Sequence, residues 1–285
     1  MAVAGQTVGH SAKFPAVNAR LAAALALVGA LTAVAGCGED SPSEDPKGVE
    51  SNGVEAKPAA EILDDAAAAL RRVKSFHVEA TQGTGARRNQ VTADVKVPST
   101  LRLVIRQSGT TASIIAVKGT VYIKADEAYW KGQRVGSGGA AQLADKWLKS
   151  PTSDADLRDI SKGLDPDTLG SCLASAHGTL QKGGTETVDG KEAVVIIDKG
   201  DRPGSTPARL FVATTGKPLP LRTIATGKQR PGGTKGSECN DSSRSGPGDE
   251  TNFSRYNESP DISAPKGAVS LRSPSSGGSG VSPAK

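Results

Sequence analysis

The sequence predicts an α+β fold, an antiparallel sheet of roughly eight strands with helices packed on one side. Three observations carry this prediction. One leading stretch has a helical apolar period, residues 75–131 and 185–256 alternate with a period of two in short runs, and a helical stretch separates the two strand-rich regions. Strands, then helices, then strands is the order of an α+β domain rather than the strict alternation of a parallel sheet. The material is lean, with 36% hydrophobic and 3% aromatic residues in 285 and with Gly 34 and Pro 17. Such a chain does not supply two dense enzyme cores, and part of it is expected to be linker. No G-X-Y period runs through it, which excludes collagen.

Residues 21–36 carry no charge, follow Lys13 and Arg20, and end at Cys37-Gly38-Glu39-Asp40. Basic, apolar and small residues in that order make a secretory signal, and the run is too short and Ala-rich for a lasting membrane helix of about 20 residues. Val34-Ala35-Gly36-Cys37 resembles the lipobox of bacterial lipoproteins, in which the thiol accepts diacylglycerol and the mature chain begins at the cysteine. The plain alternative is an ordinary secretory signal with an incidental cysteine. The expected division is a signal peptide over 1–36, an acylated Cys37 with an acidic tether over 37–57, one domain over 58–271 and a Ser/Gly tail over 272–285. The tether holds Glu39, Asp40, Glu44, Asp45, Glu50 and Glu55 with almost no apolar residue, so it cannot bury enough surface to fold.

Within the domain, Ile62, Ala66, Ala69, Leu70 and Val73 recur at helical steps between Glu61 and Arg71-Arg72, predicting an amphipathic helix over 58–73. Alternating runs around 76–80, 91–97, 101–106, 113–117 and 121–124 predict a meander of hairpins. Gln142 to Lys149 places Leu143, Trp147 and Leu148 on one helical face, and Asp165-Pro166 opens a second helix that carries Cys172. Strands resume at 185–188, turn at Asp189-Gly190, and continue at 193–197, 208–214, 219–225 and, last, 252–256. With Cys37 assigned to lipid, Cys172 and Cys239 are an even pair in an oxidising compartment and predict a disulfide, the alternative being two independent thiols.

This order of elements, with Lys74-Ser75-Phe76-His77 after the first helix, the hairpin from Leu210 to Arg222 around Thr215-Gly216-Lys217-Pro218, and a closing Phe253-Ser254-Arg255-Tyr256, resembles the LolA/LppX-type cell-envelope lipoproteins over about 58–271. The resemblance implies a curved antiparallel half-barrel closed by helices around an apolar cavity that in some relatives carries lipids. The alternation sets Leu101, Leu103 and Ile105, then Ile115, Val117, Val121 and Ile123, then Val195, Ile197 and Phe211 on apolar strand faces. Any half-buried sheet needs such faces, and the resemblance is what makes them the candidate cavity lining. The Gly-rich insert 227–236 and the shortage of aromatic residues depart from the family pattern.

Catalytic and metal signatures are missing. His77 and His177 are too far apart in sequence for a short metal motif, no G-x-S-x-G elbow or P-loop occurs, and no CxxC is present. Asp154, Asp156, Asp159, Asp165 and Asp167 lack the spacing of a calcium loop and read as caps and solvated loop. No catalytic residue, metal ligand or cofactor is therefore assigned. Formal net charge is +5, but Lys13 and Arg20 lie in the signal, so no nucleic-acid partner is implied. One local excess remains: Lys199, Arg202, Arg209, Lys217, Arg222, Lys228, Arg230 and Lys235 against Asp201 alone. It suits an anionic envelope surface or a merely solvated loop. The reading is a monomeric, non-enzymatic lipoprotein on the outer face of a Gram-positive cell membrane, binding a lipid-like or amphipathic molecule. The alternative is a scaffold lipoprotein with a filled core that acts on envelope partners or wall polymer, and an exported hydrolase is a third class.

Overall fold

A computed structural model describes residues 50–85, 88–133, 137–151, 164–232 and 246–270. Its first helix, α1 (Ala59–Leu70), buries Ile62, Leu63, Ala66, Ala67 and Leu70, so the predicted stripe is present and is widened by Leu63 and Ala67. The meander follows as β1 (Ser75–Gln82), β2 (Asn89–Lys96), β3 (Thr100–Gln107), β4 (Thr110–Val117) and β5 (Thr120–Ala125). Two of its hairpins turn on Ser108-Gly109 and Lys118-Gly119, and the later Asp189-Gly190 does the same. All six residues have positive φ, the type I′ geometry whose twist matches paired strands and which favours glycine second.

Two short helices come next, α2 (Glu127–Gly132) and α3 (Ser137–Leu143), then β6 (Leu148–Pro151). Asp126 caps α2 by accepting the Tyr129 N–H at 2.7 Å. Helix α4 (Pro166–Ser175) starts with Pro166 in its first turn and with Asp165 accepting the Thr168 N–H at 2.9 Å, the start read from the sequence. The second strand set is β7 (Leu180–Val188), β8 (Lys191–Asp198), β9 (Ala208–Ala213), β10 (Pro220–Ala225), β11 (Glu250–Ser254) and β12 (Val269–Ser270).

All these strands form one 12-stranded sheet in the order β12-β6-β5-β4-β3-β2-β1-β11-β10-β9-β8-β7, curved and unclosed. Every neighbouring pair is antiparallel except β12 with β6. The α+β half-barrel is as predicted, and the strand number is corrected upward from roughly eight. Ten of the strands match the alternating runs read from the sequence, and of the two beyond them one lies where a helix was expected over 142–149. Leu143 ends α3, Asp145 takes φ 56, and its N–H bonds to Ala125 O at 2.9 Å, which swings Leu148 into register with Ile123. The other is β12, so 252–256 is not the last strand. Residues 255–270 cross from β11 to the far edge, tied by Asn257 N–H to Ser75 O at 2.8 Å, by Arg102 to Asp261 O at 2.5 Å, and by Val269 N–H to Trp147 O at 2.8 Å.

Part of the expected tether is docked instead. Val54 is 2% exposed, Asn52 N–H bonds to Thr214 O at 2.7 Å, and Lys182 Nζ donates to Glu55 O and Lys57 O. A single apolar residue and paired backbone groups suffice because the turn between β9 and β10 and Lys182 of β7 receive them. The signal, Cys37, Cys239 and the Ser/Gly tail lie outside the described residues.

The helices share one face of the sheet. Leu70 of α1, Trp130 of α2 and Ala140 of α3 join Phe76, Val78, Val91, Ala93, Leu101, Leu103, Ile114 and Ile123 in one core cluster, against which Leu169 of α4 packs. The register runs Val78↔Ala93↔Leu103↔Ile114↔Ile123, a continuous apolar row across five strands. Fully burying each such side chain stabilises the fold by about 1.5–3 kcal/mol. A second cluster joins Ile62, Leu63 and Ala66 of α1 to Val194, Ile196, Leu210 and Val212.

Candidate functional site

Where α1 and α4 cross the middle of the sheet, the interior is not filled. A cavity of about 230 Å³ is roofed by Leu63, Leu70, Leu169, Cys172 and Leu173 and floored by Val78, Phe253, Thr251, Thr223, Leu210, Ala208 and Asp198. The floor residues come from one face of adjoining strands, since Val78↔Phe253, Thr251↔Thr223, Thr223↔Leu210 and Ala208↔Asp198 are register partners. Small and polar groups at Thr223, Thr251, Ala208 and Ala225 leave room that Leu and Ile fill on the neighbouring meander.

One end of the cavity is polar. Asp198 is 5% exposed, and its Oδ1 accepts the N–H of Gly178 at 2.9 Å and of Gly200 at 2.8 Å. Burial pushes its carboxyl above the usual value, while those two N–H groups and the nearby His177 pull the other way. His177 faces two carbonyls, Gly178 O at 2.9 Å and Ala174 O at 3.1 Å. Only glycine fits at 178, because a Cβ there would lie 2.3 Å from Asp201 Oδ1. Cys172 lines the roof and is disulfide-bonded. Tyr256 donates to the carbonyl of the lining residue Pro220 at 2.6 Å, and burial holds its phenol well above the usual range.

The ten residues singled out as lining sit elsewhere. Leu101, Leu103, Val121 and Ile123 belong to the filled cluster, with Ile105 packed against it. Ile115 and Val117 point to the opposite face, because the Lys118-Gly119 turn pairs Val117 with Thr120 and so puts Ala116, not Val117, beside Val121. Val195, Ile197 and Phe211 are likewise opposite to Ile196 and Leu210, and Phe211 lies under the Arg209 guanidinium at 4.9 Å. His77 is on that outer face too, with Asp94 at 2.8 Å and Glu79 at 3.2 Å and in contact with Arg255, a structural cluster that ties β1 and β2 to the crossing segment. Sequence reading missed Thr223, Thr251, Ala208 and Asp198, whose only signal was small or polar residues on the inward parity of otherwise apolar strands.

Among the described residues no group of three His, Cys, Asp or Glu side chains is placed to hold a metal ion. Among them, too, no helix is long and apolar enough to cross a membrane.

No family model matches the chain, and no curated protein matches it. Among solved structures it is similar to the lipoprotein LppX of Mycobacterium tuberculosis, at 18% identity over 72% of this chain and 98% of that one, with a TM-score of 0.44. It is similar to LprF of Mycobacterium bovis at 14% identity over 73% and 96% of the chains, TM-score 0.47. A LolA superfamily protein of Nitrosomonas europaea matches at 12% identity over 70% and 93%, TM-score 0.24.

Proposed function

We propose that the protein is a non-catalytic carrier of an apolar or lipid-like molecule at the outer face of the cell membrane. The cavity between α1, α4 and the inner face of β8–β11 is the observation that carries this reading. Its volume of about 230 Å³ lies below the roughly 300–1,000 Å³ of drug-sized pockets, which suits one slender apolar chain with its polar end toward Asp198 and His177. Acylation at Cys37 anchors the chain after cleavage of 1–36, and two or more acyl chains make attachment lasting. A disulfide from Cys172 to Cys239 pins the cavity roof, and the domain works as a monomer on a Gram-positive envelope.

Native mass spectrometry of the exported protein tests the carrier. The expected result is a bound species of lipid-like mass, absent from Leu173→Trp, which fills the cavity from α4. Bare protein in both, from lipid-rich cells, overturns the reading. Cys37→Ala is expected to release the protein into the medium, and retention of that variant on membranes through a high-salt wash, which screens charge-driven binding, contradicts the anchor. A second reading, a lipoprotein that acts on envelope partners through its basic loops, is favoured by the exposed cations at Lys199, Arg202, Lys228 and Arg230.

A further inference from the structure

The basic run that begins at Lys199 separates into two kinds of cation. Arg209 is ion-paired with Glu186, and Arg222 with Glu250 at 3.0 Å and Asp189 at 3.7 Å. Lys199, Arg202, Lys228 and Arg230 are exposed, and among the described residues the one acidic side chain whose charge one of them meets is Asp201, beside Lys199. All four stand on two loops, 199–207 and 226–232, that extend the β9–β10 ladder past its open end. Thr226 N–H bonds to Pro207 O at 2.7 Å, Arg230 N–H to Ser205 O at 2.8 Å, and Gly204 N–H to Arg230 O at 2.9 Å. Gln229 adds a side-chain bond to Gly204 O at 2.8 Å. The same loops put Gly204 and Thr206 into the cavity wall, next to Ala208 and Ala225. Their acidic residue, Asp201, is held by the Thr179 N–H at 2.6 Å, and Asp198 is buried.

We propose that these two loops seat the rim of the cavity on the anionic headgroup surface of a lipid bilayer. Four exposed cations against one acidic neighbour among the described residues, Asp201, fit a surface of distributed negative charge. No apolar anchor stands between them to read a particular sequence, and the hydrogen-bonded loops keep them beside the cavity. Each basic residue near an anionic leaflet strengthens attachment by about fivefold, and salt screens the effect. Docking rests on the carrier reading for its purpose, since it presents the cavity to the layer from which an apolar chain is drawn.

The test uses the full chain carrying Cys37→Ala, so that acylation contributes nothing. It is titrated with vesicles rich in phosphatidylglycerol and with vesicles of phosphatidylcholine alone. The combined variant Lys199→Ala, Arg202→Ala, Lys228→Ala, Arg230→Ala is expected to lose the anionic preference by more than about tenfold. A control that removes the same charge from exposed lysines on other turns and strands, Lys96→Ala, Lys118→Ala, Lys191→Ala, Lys217→Ala, is expected to change it less than about twofold. Equal losses in the two variants, or no anionic preference in the parent, overturn docking. Retention on immobilised polyglutamate that depends on the four cations, without vesicle preference, assigns the rim to an acidic protein and also overturns it. Uptake of a fluorescent single-chain fatty acid without vesicles is read on the same proteins. Docking without uptake refutes the carrier alone, and uptake without docking refutes this proposal alone.

Discussion

The two halves of the sheet are built from the same strand pattern, yet one half is filled and the other holds a cavity. In the meander β2–β5 the inward row is Ala93, Leu103, Ile114 and Ile123, met by Trp130 and Leu148. Across β8–β11 the inward positions include Thr251, Thr223, Ala208 and Asp198, and the roof of α1 and α4 stands above space. A half-barrel therefore becomes a container where side chains are withdrawn, not where apolar groups are concentrated. The container is also where polar and covalent devices gather: the Asp198 turn, the disulfide of Cys172 and the basic loops.

The largest way to break the comparison is through the roof. If Cys172 and Cys239 close their 67-residue loop, Cys172→Ser should cost roughly 4 kcal/mol on the chain-entropy model, with hydrogen exchange rising over α4 and β7–β10 before the meander. Uniform loss of protection contradicts the separation. Next comes packing. Leu103→Ala, at 0% exposure, should cost about 3 kcal/mol by urea unfolding, whereas Leu210→Ala, at 9% exposure beside the cavity, should cost about half as much. Equal losses indicate that the second half is as tightly filled as the first.

A smaller effect sharpens it in the other direction. Thr223→Leu enlarges a side chain that faces open volume, so thermal unfolding should show no loss and up to about 1 kcal/mol of gain, while bound ligand is excluded. The same enlargement inside the filled row, Ala93→Leu, should destabilise by about 1–3 kcal/mol. The smallest effect is the pH response of Asp198. Burial raises its folded pKa above the ordinary 3.8, so the folded chain takes up this proton more readily than the unfolded one. Its contribution is complete below 3.8 and is lost as pH rises through the folded value. Asp198→Asn cannot ionise and should keep its stability through that window, and parallel stability curves for the two proteins contradict this assignment.

Much of the fold was legible in the sequence. The Asp189-Gly190 turn, the capped start at Asp165-Pro166 and the stripe of α1 are local signals that the structure keeps. Leu148–Pro151 was not legible as a strand, because β6 exists only through its register with β5, and two-residue β12 only through β6. The cavity was the least legible. Alternating bulky aliphatics mark where a sheet is packed, so Leu101, Leu103 and Ile123 drew the eye toward the filled half. Thr223 and Thr251 carry no such signal, since the floor opens where the inward side chain is small, under a roof of leucines.

The central claim is tested most directly by titrating a fluorescent single-chain fatty acid into the protein and two variants. Saturable one-to-one binding is expected for the parent and for Leu101→Met in the filled half, with affinity lowered more than about tenfold by Leu173→Trp in the cavity roof. No saturable binding by the parent, or the same loss in both variants, would contradict a container confined to the β8–β11 half.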